Sequence, residues 1–319
     1  VAVLVATVLA GMAPPASAAD PPEVVRWAGA DRYETAVAIS RATYPGGVAS
    51  QLVFLVTGEN YPDALAVGPA SARYDAPVLL TRRDRLPAPT VGELGRLAPE
   101  LVVVLGGTAA VSDAVVDELW ELGYPAGRLW GPTRYETAVE VSNLLVADGV
   151  ATATVAVGTE FADAMTAGAV AAPWDVLLLV ERDRVPPATA AELRRLGVER
   201  IDLIASTGTI TQRLLDELGA IAPVNRVGGA TPADTSARAS WFYESADVVY
   251  LATQSAFPDG LAGGGRAGAD VAPLMLTRTD CVTPSVLAEI AHLAPRRVVL
   301  LGGTAALSAD VAALRACPG

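Results

Sequence analysis

One short pattern returns along the chain and fixes what it can fold into. Arg26-Trp27-Ala28-Gly29-Ala30-Asp31-Arg32-Tyr33-Glu34-Thr35-Ala36 recurs as Arg128-Leu129-Trp130-Gly131-Pro132-Thr133-Arg134-Tyr135-Glu136-Thr137-Ala138, and a worn third copy starts at Arg226 and keeps Gly229, Asp234 and Thr235. The starts lie about 100 residues apart, longer than a helical solenoid repeat and near the size of a small domain. The chain therefore reads as three homologous units, 24–123, 126–221 and 224–317.

Three further landmarks hold the register. Tyr61-Pro62-Asp63-Ala64-Leu65 is matched by Phe161-Ala162-Asp163-Ala164-Met165 and Phe257-Pro258-Asp259-Gly260-Leu261. The apolar run Val78-Leu79-Leu80 is matched by Leu177-Leu178-Leu179 and Leu274-Met275-Leu276, and an aspartate follows each run, at Asp84, Asp183 and Asp280. Leu105-Gly106-Gly107-Thr108 returns as Leu301-Gly302-Gly303-Thr304, whereas copy two reads Ala205-Ser206-Thr207-Gly208.

Within copy one the apolar spacing predicts strands at Val53–Val56, Val78–Leu80 and Leu101–Leu105, alternating with helices after Gly29, from Asp63, over Thr90–Leu97 and over Ser112–Leu122. Short, continuously apolar strands alternating with helices indicate a parallel sheet covered on both faces, so each unit is a Rossmann-like α/β layer. Asp31 with Glu34, and Thr133 with Glu136, have the spacing of a helix-capping box; copy three has Thr231, Pro232 and Asp234. Asp63, Asp163 and Asp259 stand where a strand hands over to a helix, which also reads as an N-cap. Capping accounts for these residues without a ligand.

The net charge of −12, with no lysine, argues against nucleic acid as a partner. Val1–Ala13 followed by Ala16-Ser17-Ala18-Ala19 reads as a secretory leader over residues 1–19, cut after Ala18 or Ala19; a membrane anchor is the competing reading, though the apolar run is short for a span. Cys281 and Cys317 are the only cysteines, and export would allow them to pair, with two unrelated thiols as the alternative. The single histidine, His292, lies in an apolar helical stretch, so no His-based or Cys-based catalytic pair is expected. Paired carboxylates such as Asp63 and Asp84 keep a carbohydrate-active hydrolase open as the alternative. A soft-ligand metal site is excluded by composition, and no cofactor is expected, because Gly106-Gly107-Thr108 lacks the dinucleotide-binding spacing.

From Val24 onward these motifs together resemble the cell wall binding repeat 2 family. The resemblance implies three tandem α/β repeats packed around a pseudo-threefold axis, a non-enzymatic role, and non-covalent attachment to an anionic secondary polymer of the Gram-positive wall. It further implies residence at the cell surface, no membrane contact once the leader is gone, and a fused or associated surface effector. In that family the run here represented by Val78-Leu79-Leu80 and its counterparts matters for anchoring; its apolar chemistry assigns it to core or inter-repeat packing. An adhesin or surface-layer component is a further alternative.

An acidic protein still holds an anionic polymer if arginines cluster locally, since charge beyond about 8 Å is screened at physiological salt. The candidates are Arg32, Arg82, Arg83 and Arg85 in copy one, Arg134, Arg182 and Arg184 in copy two, and Arg278 in copy three. All follow a cap or an apolar strand, and strand C-terminal ends form the crevice of open α/β sheets. Pairing with adjacent acids such as Asp84 or Asp183 is the competing role. Backbone amides at Gly106, Gly107, Gly302 and Gly303 suit either an anion nest or a plain tight turn.

Overall fold

The computed structural model describes residues 21–46, 51–172 and 175–318; the leader assigned to residues 1–19 lies outside them. The first unit runs β1 (Glu23–Trp27), α1 (Arg32–Thr43), β2 (Leu52–Thr57), a 3-10 turn (Pro62–Ala66), α2 (Val67–Arg73), β3 (Val78–Thr81), α3 (Ala88–Leu97), β4 (Leu101–Leu105) and α4 (Asp113–Glu121). The second repeats this as β5 (Ala126–Leu129), α5 (Arg134–Leu145), β6 (Thr152–Val157), α6 (Phe161–Ala171), β7 (Val176–Val180), α7 (Pro187–Arg195), β8 (Arg200–Ile204) and α8 (Gln212–Gly219). The third comprises β9 (Val224–Val227), α9 (Pro232–Ala239) extended by a 3-10 turn (Ser240–Phe242), β10 (Val248–Thr253), α10 (Pro258–Ala269), β11 (Leu274–Thr277), α11 (Pro284–Leu293), β12 (Arg297–Leu301) and α12 (Ala309–Ala312).

The strands form three parallel sheets, ordered β3-β2-β4-β5, β7-β6-β8-β9 and β1-β12-β10-β11. Sequence copies and sheets are thus out of phase. The first strand of each copy completes the sheet of the copy before it: β5 pairs with β4, and β9 with β8. The first strand of the first copy, β1, closes the ring onto the third, with Glu23 opposite Arg297 and Trp27 opposite Leu301.

Each sheet buries both faces, and alternation along its strands decides which side chain serves which core. Val78 and Leu80 enter a central core while Leu79 enters an outer one; Leu177 and Leu179 against Leu178, and Leu274 and Leu276 against Met275, divide the same way. The central core draws Phe54 and Leu105 from the first unit, Leu179 and Ile204 from the second, and Tyr250 and Leu301 from the third. Burying each such side chain contributes roughly 1.5–3 kcal/mol, so the shared core welds the three units into one pseudo-threefold body. Along the axis α2, α6 and α10 pack on one another. Their approach is close: a Cβ on Gly265 would fall 2.0 Å from Ser71 Oγ, and one on Gly268 2.2 Å from Ala172 Cβ. In the third unit Cys281 and Cys317 form a disulfide.

Candidate functional site

Because each copy lends its first strand backwards, the repeated motif spans the junction between two units. Arg26 donates to the Gly302 carbonyl at 2.6 Å, and Arg128 to the Gly106 carbonyl at 2.7 Å, each reaching into the Gly-Gly turn that follows the neighbouring strand of the same sheet. The chain then turns tightly: a Cβ on Gly29 would lie 2.2 Å from Glu34 Cβ, and Gly131 and Gly229 meet Glu136 and Asp234 in the same way. The amides of Gly29, Gly131 and Gly229 donate to the hydroxyls of Thr35, Thr137 and Thr235. Helix entry follows. Asp31 accepts from the Tyr33 and Glu34 amides, Thr133 from Tyr135, and Thr231 forms a reciprocal box with Asp234. Glu34 reaches back to the Ala30 amide at 2.8 Å, one residue beyond the position a strict box would use.

Asp63, Asp163 and Asp259 do not cap their helices. The cap positions are Tyr61, Glu160 and Phe257, none of which makes a side-chain cap bond, and the aspartates sit inside the first turn. Each carboxylate instead faces the turn after the last strand of its own unit, at Gly106, Ser206 and Gly302. Thr137 of the second unit donates to Asp63 at 3.0 Å. Asp163 is buried and accepts from the Ser206 amide and hydroxyl, both at 2.7 Å, while Ser206 Oγ lies 2.9 Å from Thr235 Oγ1. Burial raises the Asp163 pKa, and the Ser206 bonds pull against that rise. Asp259 lines an open cleft of about 200 Å³ with Arg32, Thr35 and Gly303, and among the described residues no donor bonds its carboxylate. Burial pushes its pKa up to about 6 against the pull of Arg32.

The seams converge on the axis, where the rings of Tyr61, Phe161 and Phe257 pack with centroids 5.5, 5.6 and 6.4 Å apart. Arg32 donates to the Gly58 carbonyl, and Arg134 to the Gly158 carbonyl at 2.5 Å while lying over the Tyr61 ring. In copy three the amide of Ala233 instead bonds Gln254. Arg82 stacks on Tyr33 and faces Glu59 at 3.6 Å.

The remaining arginines stay within their own units. Arg83 donates to Ala109 O, and Arg182 to Thr209 O and Gly208 O, each at 3.1 Å. Arg85 pairs with Asp84, Arg184 with Glu181 and Arg278 with Asp280, all at the surface. The nest reading fails for two of its four glycines. The amides of Gly106 and Gly302, both at positive φ, donate to the Leu129 and Trp27 carbonyls at 3.0 Å, so they are closed to an anion. Gly107 packs beside the Trp130 ring and Gly303 lines the cleft. Asp63 and Asp84, weighed as a catalytic pair, serve different partners, Thr137 at a seam and Arg85 on the surface.

One repeated feature escaped sequence reasoning. Glu93, Glu192 and Glu289 accept from Ser40, Ser142 and Ser240. For Glu93, burial works to raise the pKa, and the bonds from Arg96, Ser40 and Arg41 outweigh it and hold the carboxyl below its usual range; Arg195 and Ser142 do so for Glu192. The signal was present as a serine and a glutamate about 50 residues apart in every copy. His292 takes the place of Arg96 and Arg195 and is exposed in the last turn of α11. Among the described residues no cluster of three or more His, Cys, Asp or Glu suits a metal ion, and no helix is long and apolar enough to cross a membrane.

Relatives share this architecture. The chain is 28% identical over 291 residues to N-acetylmuramoyl-L-alanine amidase LytC of Bacillus subtilis (strain 168), covering 91% of this chain and 57% of that protein. It is 25% identical over 288 residues to the amidase enhancer of the same organism, covering 90% and 39%. Cwp6 from Clostridium difficile superposes with a TM-score of 0.83 at 26% identity, over 92% of this chain and 48% of that one. The chain spans about half the length of the relatives it matches, and in the amidase the match is to this binding region. The model of cell wall binding domain 2 matches residues 26–116, 128–214 and 226–312, one match per copy, so the chain belongs to the CWB2 family of cell wall binding domains.

Proposed function

We propose that the chain is a docking module that attaches itself, or a fused or associated surface effector, to the wall by non-covalent binding of an anionic secondary polymer. The units are those of the sequence copies, 24–123, 126–221 and 224–317, each lending its first strand to its neighbour, and residues 1–19 direct export. One observation carries the reading. Arg32 and Arg134 are held at equivalent places beside the axis, each by a backbone carbonyl, on a body whose three units share one core. A guanidinium fixed by one bond keeps further N–H donors for phosphate or carboxylate oxygens and loses little freedom on binding. Arg82, stacked on Tyr33, extends the basic rim of the first unit.

Sedimentation with purified sacculi tests this. Binding is expected to fall as salt rises and to vanish once the secondary polymer is stripped. Changing Arg32 and Arg134 together to Ala is expected to cut affinity at least tenfold and to flatten the salt dependence, with circular dichroism unchanged. Equal binding to stripped sacculi overturns the ligand, and release of sugar or peptide transfers the case to a hydrolase.

A further inference from the structure

The third unit differs from the other two in what stands at the outer end of its first helix. The position that is Arg41 in the first unit and Asn143 in the second is Trp241 in the third. In the first unit Arg41 folds onto Glu93 at 3.1 Å. Trp241 is instead 72% exposed, more than any other large apolar residue among the described residues. The indole is nevertheless fixed: its Nε1–H donates to Glu289 Oε1 at 3.1 Å, and Glu289 is itself tied through Oε2 to Ser240 at 2.9 Å.

Beside the ring lies a cleft of about 300 Å³ between α9 and α11, floored by alanines and edged by Asp234, Arg238, Ser285 and Glu289. Ser285 donates to Asp234 at 2.7 Å, and Arg238 donates to the Gly228 carbonyl at 2.7 Å, so the polar rim is preorganised. Its charge is telling. Two carboxylates face one guanidinium, which disfavours an anion and leaves a neutral ligand that needs both donors and acceptors. The volume is at the small end for ligand clefts, about one or two sugar rings.

We propose that this cleft is a binding subsite for a neutral pyranose, with the apolar C–H face of the sugar on the Trp241 indole and its equatorial hydroxyls bonded by Asp234, Arg238 and Glu289. A rigid aromatic platform with a polar rim suits such a ring, because stacking costs almost no side-chain freedom. The subsite belongs to the third unit alone and stands whether or not the polymer bound elsewhere is anionic.

The five tryptophans each give an indole N–H signal in a ¹⁵N-labelled sample of the chain. Titration with N-acetylglucosamine and with glucose is expected to shift the Trp241 signal saturably for at least one sugar, with a dissociation constant on the order of millimolar. Trp120 and Trp130, 55% and 51% exposed, serve as internal controls and should not move. By saturation-transfer signals of the sugar, Trp241→Ala should lose binding at least tenfold, Trp241→Phe should retain most of it, and Arg238→Gln should fall between. Inorganic phosphate should leave the Trp241 signal in place. The proposal is overturned by no saturable shift with either sugar, by equal shifts at Trp120 and Trp130, or by a stronger response to phosphate. Retained sedimentation of Trp241→Ala with intact sacculi keeps this test separate from that of the arginines.

Discussion

The seam between the second and third units and the seam between the third and first are built from the same repeat and end in opposite states. In the first of these, Asp163 is buried under the Ser206 amide and hydroxyl, Ser206 reaches on to Thr235, and Thr207 bonds the Gly229 carbonyl through both its amide and its hydroxyl. In the second, the turn reads Gly302-Gly303, the serine hydroxyl is missing, and Asp259 faces an open cleft beside Arg32. Copy two's departure from the Gly-Gly-Thr pattern is therefore a substitution of one closure for another. Where Arg26 and Arg128 clamp the glycine carbonyls of their seams, Arg226 makes no such bond among the described residues, and Ser206 with Thr207 does the holding.

The most damaging way to break this contrast is Asp163→Ala. It strands the Ser206 amide in a buried seam and leaves the Ser206 hydroxyl with Thr235 alone, and the relief from removing a desolvated carboxylate offsets only part of that. A loss of about 3 kcal/mol is expected, read as a drop of roughly 6–12 °C in melting temperature. A change within about 0.5 kcal/mol, the size typical of a surface substitution, refutes the structural assignment of this seam.

Ser206→Gly sharpens the comparison by giving copy two the residue found at Gly107 and Gly303. It deletes the hydroxyl bridge while leaving the amide bond to Asp163, so the expected cost is about 1–2 kcal/mol. One of the two bonds that hold down the Asp163 pKa goes with it. The variant should accordingly lose more stability at pH 7 than at pH 4, as equilibrium denaturation at the two pH values will show; an equal loss at both removes Asp163 from the bridge.

The units and their layers were legible in the sequence because helix and strand signals are local and came three times over. The phase of the sheets was not, because the apolar pattern of Val24–Trp27 says that a strand forms and nothing about which sheet receives it; its partner β12 is about 270 residues away. The aspartates failed for the same reason. Asp63 follows Pro62 at a helix start and has the look of a cap, but its partner Thr137 is 74 residues along, in the next unit. Asp31, Thr133 and Thr231, whose partners lie within three residues, are where local reading places them. The arginines were findable by type, and so was the sequence-adjacent Asp84 that pairs with Arg85; the carbonyl partners of Arg32 and Arg134, 26 and 24 residues along, were not.

At the open seam, Asp259→Asn has the smallest expected effect and the opposite sign. The folded state raises the Asp259 pKa to about 6 from an ordinary value of 3.8, so it binds the proton more tightly than the unfolded chain does. Folding therefore gains most with Asp259 protonated, and stability falls as pH rises between about 4 and 6, with the full penalty present above that window. Asparagine resembles the protonated form. Wild type and variant should melt together near pH 4 and diverge as pH rises, with the variant about 2–4 °C higher at pH 7, or about 1 kcal/mol once solvent access to the cleft is discounted. Unlike the changes at the closed seam, this one stabilises, because it removes a desolvated charge that no hydrogen-bond donor among the described residues satisfies and that Arg32 only partly offsets. If the variant is instead less stable at pH 7, Asp259 is held in the folded chain as firmly as Asp163, and the third seam is closed like the second.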